Sequence, residues 1–546
     1  MRMNQPKRED PDSRILTTSA CDIVSRIAAG EWSSRQVTEA FIEQVELVNP
    51  YLNALVVSRF DEARQEAAAA DRARDQGAEL GPLHGLPMTV KECFHLAGSS
   101  TTLGLTTRVN RPCREDGVFV RRLREAGAII LGKTNVPQLM LWHESENPVF
   151  GRTQNPWDLD RGSAGSTGGE AALLAAYGSP LGLGSDLGGS IRIPAHVCGI
   201  HGIKPTSGRL PREGMDGALR GMEAVFFQAG PMGRYVADLT LALRVMAGSV
   251  EEPRDIDVVP GTIGDPDRVN VKGLRIAVWN DDGTFRPSPA IRRVVDEAAE
   301  QLAREGAEVC PWTPPDIPEA LDVYYQLVGA DGGSDVTRLL RGSQVHPHLS
   351  RLVRGARLGP PMRWLVSALM RGLGQKTMAH LVNQTRRSSV SRYWSNTRWM
   401  VAYRRRLLGI FQQEGFQAAI CPPHALPAMP HGAPIDLLPA ASYSFLPNLL
   451  GWPAGVVASS RVRDDEQDER APSRDRVFDQ ARKTDINSSG LPVGVQVLAP
   501  AWREDVVLAV MGLLENAFGQ AADYPRLSLP MTFDPMTSDA EGSSGS

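Results

Sequence analysis

The sequence predicts an α/β fold in which a β-sheet carries helices on its faces. Residues 86–90 form a short apolar run typical of a buried strand, and residues 128–134 form a second strand that enters a turn. Residues 118–127, which lie between them, have helical character. Alternation of strand and helix favours a sheet covered by helices. A hydrophobic content of 42% is ordinary and sufficient for a sizeable core.

Other elements follow along the chain. Ser34 is a candidate N-cap for a helix that ends at the Asn49-Pro50 pair. The spacing of apolar residues and the residues that flank each segment predict further helices and strands. The helices are predicted over 61–76, 238–246, 288–305 and 505–518, and the strands over 274–278 and 418–422.

Composition excludes several classes of protein. The net charge of −4 and the scattered Lys and Arg residues give no basic stripe with interleaved aromatics, so no nucleic-acid partner is expected. No uncharged run of about 18 apolar residues is present, so no membrane anchor is expected. The six cysteines are widely spaced without a CxxC pair. Reduced thiols and a cytoplasmic location are therefore predicted.

The most informative stretch is residues 162–206, which contains two Gly/Ser-rich turns. Residues 165–169 read Gly-Ser-Thr-Gly-Gly and residues 188–190 read Gly-Gly-Ser, on either side of an Ala/Leu-rich segment of helical character. Glycine allows backbone angles closed to other residues, so N–H groups can converge on one point. Each turn also offers a serine hydroxyl. This combination suits an oxyanion hole beside a nucleophile.

Two lysines follow predicted strands, and either could act as a base. Lys91 comes directly after the strand at 86–90, and Lys133 lies at the end of the strand at 128–134. Most such lysines snorkel to the surface or form salt bridges. A desolvated lysine with a lowered pKa could instead accept a proton. The residues alone leave both possibilities open.

Familiar histidine, metal and phosphate motifs are missing from these turns. His196 and His201 lie just downstream of the serine turns, and the other histidines lie elsewhere. A catalytic site built on a G-x-S-x-G nucleophile elbow and a histidine far downstream is therefore a poor explanation of these serine turns. Since no H-E-x-x-H or phosphate-loop pattern occurs, neither a metal nor another cofactor is expected.

The stretch 162–206, together with residues 81–94 (GPLHGLPMTVKECF), resembles the amidase signature family. The Lys-Glu-Cys-Phe and Gly-Gly-Glu variants are closest to its fatty-acid-amide-hydrolase branch. The resemblance implies one domain over about 15–535, built on a large mixed, twisted β-sheet covered by helices on both faces. It further implies a catalytic core at about 80–210, a closing strand pair at 448–454 and 490–498, and a variable insertion at about 310–405 that lines the acyl-binding cleft.

The resemblance also implies a Ser-Ser-Lys triad. Carried over by position, Ser190 is the nucleophile, Lys91 the general base and acid, and Ser166 the bridging serine, which follows a cis peptide in the relatives. The oxyanion hole would be formed by backbone N–H groups of Leu187, Gly188 and Gly189, with Ser190 as a further candidate. Lys133 would be structural. The expected supporting residues are Thr167, which replaces the more frequent serine, and Asp186 and Arg192, which would brace the turn.

The remaining segments carry structural expectations. Residues 1–14 are predicted to be disordered and residues 536–546 to form a flexible tail. The charge-dense segment 461–488 is predicted to be a solvated, mobile loop. Residues 209–227, rich in Gly and Met, are interpreted either as a mobile wall of the cleft or as an ordinary surface loop.

The expected function is hydrolysis of linear amides through an acyl-enzyme, with aryl esters and carbamates (urethanes) as further substrates. The expected partner is a small-molecule substrate, and the expected assembly is a monomer or homodimer. One alternative is the A subunit of a tRNA-dependent amidotransferase, which would need other proteins as partners. Another is a non-catalytic binding protein on the same fold, which would have lost a triad residue.

Overall fold

The computed structural model describes residues 11–248, 258–259, 261–529 and 531. Its centre is an 11-stranded mixed sheet with the order β1-β3-β2-β8-β10-β9-β14-β15-β13-β11-β12, flanked by helices, which confirms the predicted α/β class. Strands β4 with β5 and β6 with β7 form two small separate ladders. The strands are β1 (Leu55–Ser58), β2 (Pro87–Lys91), β3 (Ile129–Thr134), β4 (Glu146–Asn147), β5 (Gly151–Arg152), β6 (Gln154–Asn155), β7 (Asp158–Gly162), β8 (Leu181–Asp186), β9 (His201–Lys204), β10 (Gln228–Gly233), β11 (Arg275–Val278), β12 (Glu308–Pro311), β13 (Ala418–Cys421), β14 (Ala454–Arg461) and β15 (Pro492–Leu498).

Helices cover this sheet and fill the segment between β12 and β13. Short 3-10 helices occupy 106–108, 138–140, 266–268, 438–441 and 464–466. The α-helices are α1 (Pro11–Thr17), α2 (Ala20–Ala28), α3 (Ser34–Leu52), α4 (Phe60–Asp75), α5 (Val118–Glu125), α6 (Gly168–Ala175), α7 (Arg192–Cys198), α8 (Val236–Ala247), α9 (Pro289–Arg304), α10 (Ile317–Val328), α11 (Ser334–Leu339), α12 (Pro347–Ala356), α13 (Pro360–Gly372), α14 (Lys376–Gln384), α15 (Val390–Glu414), α16 (Ser442–Leu450), α17 (Arg476–Asp485) and α18 (Glu504–Phe518).

The part of the sheet that carries the functional motifs is buried throughout. β2 lies between β3 and β8 and runs parallel to both. Every residue of β2, β3 and β8 is buried, as expected for strands covered on both faces. Since parallel strands end at the same edge of a sheet, the chain leaving β2 at Lys91 lies beside the chain leaving β8 at Asp186.

Amphipathic patterning predicted the helices that pack on the sheet. Helix α9 buries Ile291, Val294 and Leu302, which share the face predicted over 288–305. Its contacts with β13, β14 and β15 place this face against the sheet. Within the described residues, no helix combines the length and apolar composition needed to cross a membrane.

Three local predictions at element boundaries were wrong. Ser33, not Ser34, caps α3 by accepting a hydrogen bond from the Gln36 N–H, and the helix continues through Pro50 to Leu52. The first part of the predicted strand at 448–454 is the end of α16, and the paired strand β14 begins at Ala454. Helix α1 begins at Pro11, so residues 11–14 are helical where disorder is predicted. Residues 1–10 and the predicted tail 536–546 lie outside the described residues.

The charge-dense segment 461–488 is also more regular than predicted. It contains α17, whose Val477 and Ala481 are buried against the body of the protein. Arg470 contacts the buried Asp485 at 2.6 Å, and Glu466 contacts Arg293 of α9 at 2.5 Å. These two apolar residues and the ion pairs anchor a segment whose overall composition indicates a loop.

Candidate active site

The three predicted catalytic residues meet at the edge of the sheet where β2 and β8 end. Lys91 is the last residue of β2, Ser166 precedes helix α6, and Ser190 precedes helix α7. Lys91 is fully buried, whereas Ser166 and Ser190 are 1% and 7% exposed. The Gly165–Ser166 peptide is cis, as the resemblance implied. The structure therefore brings Lys91 to the same edge of the sheet as two serines that lie 75 and about 100 positions further along the chain.

The Lys91 ammonium group is surrounded by hydroxyls. Its Nζ donates to Ser166 Oγ at 2.7 Å, to Thr167 Oγ1 at 2.9 Å and to Ser185 Oγ at 2.8 Å, and it lies 3.3 Å from the Ser185 carbonyl oxygen. Thr167 thus keeps a hydrogen-bonding role although it replaces the more frequent serine. Ser185 was missed by sequence analysis. Its only local signal was its position before Asp186, at the end of an apolar strand.

Burial shifts Lys91 toward its neutral form. Desolvation lowers the pKa of Lys91 to about 8, although Cys93, Asp186 and Glu170 act in the opposite direction. None of the four oxygens contacted by Nζ belongs to a carboxylate. A lysine without a directly bound anion in a buried site can release its proton near neutral pH, as a general base must.

Ser166 and Ser190 face the same cavity, which has a volume of about 380 Å³. The Thr167 N–H donates to the Ser190 carbonyl at 3.1 Å and so ties the two serine turns together. No hydrogen bond joins the two serine hydroxyls in this conformation of the described residues. Proton transfer between them therefore requires the Ser166 or Ser190 side chain to rotate.

The predicted oxyanion donors differ in their availability. The Gly189 N–H already donates to Asp186 Oδ1 at 2.9 Å. The N–H groups of Leu187 and Gly188 have no protein acceptor among the residues that the structure describes. Leu187 also lines the cavity with Ser166 and Ser190. The Gly189 N–H can therefore donate to an oxyanion only if it shares its hydrogen bond to Asp186. The N–H groups of Leu187 and Gly188 are free to donate.

A buried ion pair holds the turn that carries Ser190. Asp186 and Arg192 are both fully buried, with Arg192 Nη2 3.0 Å from Asp186 Oδ1 and Nε 3.1 Å from Oδ2. Burial by itself would raise the pKa of Asp186, but the Arg192 guanidinium holds it well below its usual range. Arg192 also donates to Asn448 Oδ1 at 2.5 Å and to Gln496 Oε1 at 2.6 Å. These contacts link the serine turn to α16 and β15.

Tyr324 contacts the predicted oxyanion hole from outside the core motifs. Its hydroxyl donates to the Leu187 carbonyl at 3.1 Å, and its ring stacks on Phe445 at 4.6 Å. A Cβ added to Gly188 would lie 2.5 Å from Tyr324 Oη and 2.9 Å from a Phe445 ring carbon. Glycine is therefore required at position 188. Sequence analysis placed Tyr324 in the variable insertion without a role, because no local pattern indicates a contact 137 residues away.

The walls of the cavity come largely from the segment predicted as a cleft wall. Met215, Met222 and Phe227 contribute side chains, and residues 139–141 form the opposite lining. No residue of the insertion at 310–405 that the structure describes lines this cavity. The insertion lines two neighbouring cavities of about 290 Å³ and 680 Å³, so its expected role in the acyl-binding cleft stays a prediction.

The other candidate bases occupy structural positions. Lys133 Nζ donates to the Ser100 carbonyl and to Thr101 Oγ1, both at 2.9 Å, rather than to either predicted catalytic serine. His196 Nδ1 accepts a hydrogen bond from the Gly494 N–H, and burial lowers the pKa of His196 to about 4. His143, missed by sequence analysis, is buried, and burial lowers its pKa to about 4, although its contact with the Gly188 backbone acts in the opposite direction. These residues are therefore poor candidates for the base.

One group of side chains has the composition of a metal site. Glu146, His346 and His348 place possible ligand atoms within 4.8 Å of one another, which the sequence could not indicate across about 200 residues. Their present contacts are internal. His346 Nε2 lies 3.5 Å from Glu146 Oε2, and the His346 ring stacks on Trp142. None of the three lines the cavity that contains Ser190.

Comparison with known proteins agrees with this fold and arrangement of motifs. The family described as Amidase matches residues 36–508, which is most of the chain. The chain therefore belongs to the amidase family, as its resemblance to the amidase signature proteins implied.

Individual relatives match different shares of the chain. Fatty-acid amide hydrolase 1 of Sus scrofa is 32% identical over 516 residues, covering 93% of this chain and 87% of the relative. The A subunit of glutamyl-tRNA(Gln) amidotransferase from Alkalilimnicola ehrlichii is 37% identical over 322 residues, but this match covers 59% of this chain and 65% of that protein. A solved structure of fatty acid amide hydrolase superposes with a TM-score of 0.81 at 25% identity, covering 94% of this chain and 87% of that one.

Proposed function

We propose that this protein hydrolyses the C–N bond of linear amides through an acyl-enzyme formed on Ser190. The observation that carries this proposal is the 2.7 Å contact between the buried Lys91 Nζ and Ser166 Oγ, in a site where Ser166 and Ser190 line one cavity. This arrangement supports a relay in which Ser190 is the nucleophile, Ser166 the bridging hydroxyl and Lys91 the buried base. Amide hydrolysis requires these groups together with donors for the oxyanion.

Acylation begins when neutral Lys91 accepts the Ser166 proton as Ser166 accepts the proton of Ser190. Ser190 Oγ then forms a bond to the substrate carbonyl carbon, and the carbonyl π pair moves to oxygen. The Leu187 and Gly188 N–H groups stabilise this oxyanion, with Gly189 contributing if its bond to Asp186 is shared. When the tetrahedral intermediate collapses, the C–N bond breaks and the proton on Lys91 returns through Ser166 to the leaving nitrogen.

Deacylation uses the same groups in reverse. Water loses a proton through Ser166 to Lys91 as its oxygen attacks the acyl carbon. The bond to Ser190 Oγ then breaks, and Ser190 recovers the proton through Ser166. Both half-reactions require Lys91 to be uncharged when each attack begins. The burial that lowers its pKa meets this requirement.

The same attack can act on aryl esters and on carbamates. An ester releases an alcohol or a phenol where an amide releases an amine. A carbamate forms a carbamoyl-enzyme if its alcohol departs first, or a carbonate-type acyl-enzyme if its amine departs first. Leu139, Met222 and Phe227 give the cavity apolar wall segments that suit aromatic and alkyl groups. The same lining also contains charged side chains, namely Arg212, Asp216, Arg220 and Glu223. Anilides, aryl esters and urethanes are therefore the proposed substrates. We retain the predictions of a cytoplasmic location and of a monomer or homodimer.

Two alternative functions receive less support. The A subunit of an amidotransferase would act on a small polar substrate, whereas the cavity wall contains Met215, Met222 and Phe227. The amidotransferase relative also matches a smaller share of this chain than the fatty-acid amide hydrolase does. A non-catalytic binding protein would have no need for a buried lysine with a lowered pKa beside two serines.

Intact-mass spectrometry after treatment with a fluorophosphonate tests the nucleophile. One adduct is expected on the wild type and on Ser163→Ala, a matched change at a buried serine near the same turns. Ser190→Ala should give none. The treated wild-type protein should then fail to hydrolyse a neutral anilide that the untreated protein cleaves. Absence of both labelling and turnover in folded wild-type protein would overturn the hydrolase proposal.

A further inference from the structure

Three cavities adjoin one another and extend from Ser190 to the outer helices. The cavity that contains Ser190 and the middle cavity of about 290 Å³ share residues 219–222 as lining. The middle cavity and the outer cavity of about 680 Å³ share Asp331, Ser388 and Ser389. This series provides room for a ligand much longer than the site around Ser190 can hold.

The middle cavity is mainly apolar. Leu327 and Val328 come from the end of α10, and Val390 and Tyr393 come from the start of α15. Its acids are already engaged: Asp331 accepts hydrogen bonds from the Gly333 and Asp335 N–H groups, and Asp335 in turn pairs with Arg338. Transfer of an alkyl or aryl segment from water into this space is favourable, because it removes apolar surface from water.

The outer cavity is lined by arginines. Arg357, Arg371, Arg386 and Arg387 line it, and none forms an ion pair with an acid of the described residues. A fifth, Arg363, is engaged in hydrogen bonds to backbone carbonyls, including those of residues 382 and 385. Asp331 is the one acid in the lining that the structure describes. The cavity therefore has a strong excess of positive charge.

The sequence around these arginines offers little negative charge to balance them. No Asp or Glu occurs between Asp335 and Glu414, while arginine recurs throughout. Burial and the neighbouring Arg392 lower the pKa of Arg386. Ser388 Oγ, buried at the cavity, has no hydrogen-bond partner among the described residues. An anion with several acceptor oxygens would bind both the guanidinium groups and this hydroxyl.

We propose that the preferred substrates are elongated amphipathic amides that carry an oxyanion group, a carboxylate or phosphate, remote from the scissile bond. The amide lies at Ser190, the apolar part occupies the middle cavity, and the oxyanion is bound by Arg386 and Arg387 in the outer cavity. This inference rests on the proposed amide hydrolysis, because it names the substrates of that same site.

Calorimetric binding to Ser190→Ala tests the inference without requiring turnover. The ligands are anilides of increasing chain length that end in a carboxylate, each paired with its uncharged methyl ester. A second series carries the carboxylate on the amine side, and a third replaces it with a phosphate. At the matching length, the charged ligand should bind about tenfold more tightly than its uncharged partner, and added salt should weaken this preference.

Arginine variants in the Ser190→Ala protein locate the charged end. Combining Arg386→Gln with Arg387→Gln should abolish the preference, whereas Arg398→Gln, from the same acid-free segment but outside the cavity lining, should retain it. If the double variant fails to fold, the test uses the Ser190→Ala protein alone. The ratio of the affinities for the charged ligand and its uncharged partner, and the dependence of this ratio on salt, then decide whether an oxyanion is bound. Equal affinities in all three series would overturn the inference. Hydrolysis of a neutral anilide by the wild type separately establishes the proposed function.

Discussion

Lys91 Nζ lies 2.7 Å from Ser166 Oγ at the end of a fully buried strand, with no carboxylate among its hydrogen-bond partners. The lysine therefore combines a direct contact to the proposed bridging serine with an environment that disfavours charge. A general base needs both features. Mutations can change the contact and the environment separately.

The activity of the wild type should increase with pH through an inflection near 8. Below the lowered pKa of Lys91 the lysine is charged and cannot accept a proton, and above it the lysine is neutral. The pH profile of kcat/KM on an uncharged anilide measures this inflection. Lys91→Met should reduce kcat/KM by about 10²- to 10⁴-fold and remove the inflection. Lys133→Met, at another buried strand lysine, should retain it. A wild-type profile that is flat between pH 6 and about 9 would contradict the role of Lys91.

Ser185→Ala should shift this inflection to lower pH. Ser185 Oγ accepts a hydrogen bond from Lys91 Nζ at 2.8 Å and so stabilises the charged form of the lysine. Its removal favours the neutral form and lowers the pKa. Ser163→Ala provides the control, because the Ser163 hydroxyl has no hydrogen-bond partner among the described residues. An unchanged or higher inflection in Ser185→Ala would show that this hydroxyl does not set the lysine pKa.

Asp186→Asn should destabilise the fold by about 3–5 kcal/mol at neutral pH, because it leaves the Arg192 charge buried without its counterion. The lowered pKa of Asp186 means that its contribution is present at neutral pH and is lost only as the pH falls below the usual aspartate range. Urea unfolding measures the loss. Glu31→Gln, in an exposed pair with Arg26, should cost less than about 1 kcal/mol. Similar losses in the two variants would disprove the special role of the buried pair.

Gly188→Ala should reduce kcat by about 10²- to 10³-fold, as expected when an oxyanion donor is displaced. The added methyl group would meet Tyr324 Oη at 2.5 Å, so the turn or the ring must move. Adding Tyr324→Phe to this variant should restore part of the rate by removing that hydroxyl. Gly409→Ala, within α15 and with open space at its Cβ, should leave kcat unchanged. Steady-state kinetics on an anilide decides between these outcomes.

Sequence analysis can predict features that a short stretch of sequence encodes, but it misses features that depend on contacts between distant segments. Lys91, Ser166 and Ser190 each lie in a short motif that fixes both residue type and position, and the α/β class follows from strand and helix patterning. Tyr324 and the arginine cavity depend on contacts between distant segments, which no local pattern encodes. Helix α17 was missed because its charged residues indicate solvation, while Val477 and Ala481 are its two buried apolar residues.

Arg192 also ties the completion of the Ser190 turn to late stages of synthesis. Lys91, Ser166 and Ser190 are all present once residue 190 has been made, but Asn448 and Gln496, which accept hydrogen bonds from the Arg192 guanidinium, lie 256 and 304 residues further along the chain. A nascent chain on the ribosome thus carries these three residues long before the side chains that brace the Ser190 turn exist. A chain that ends before β15 lacks Gln496 and with it the link from this turn to the far side of the sheet.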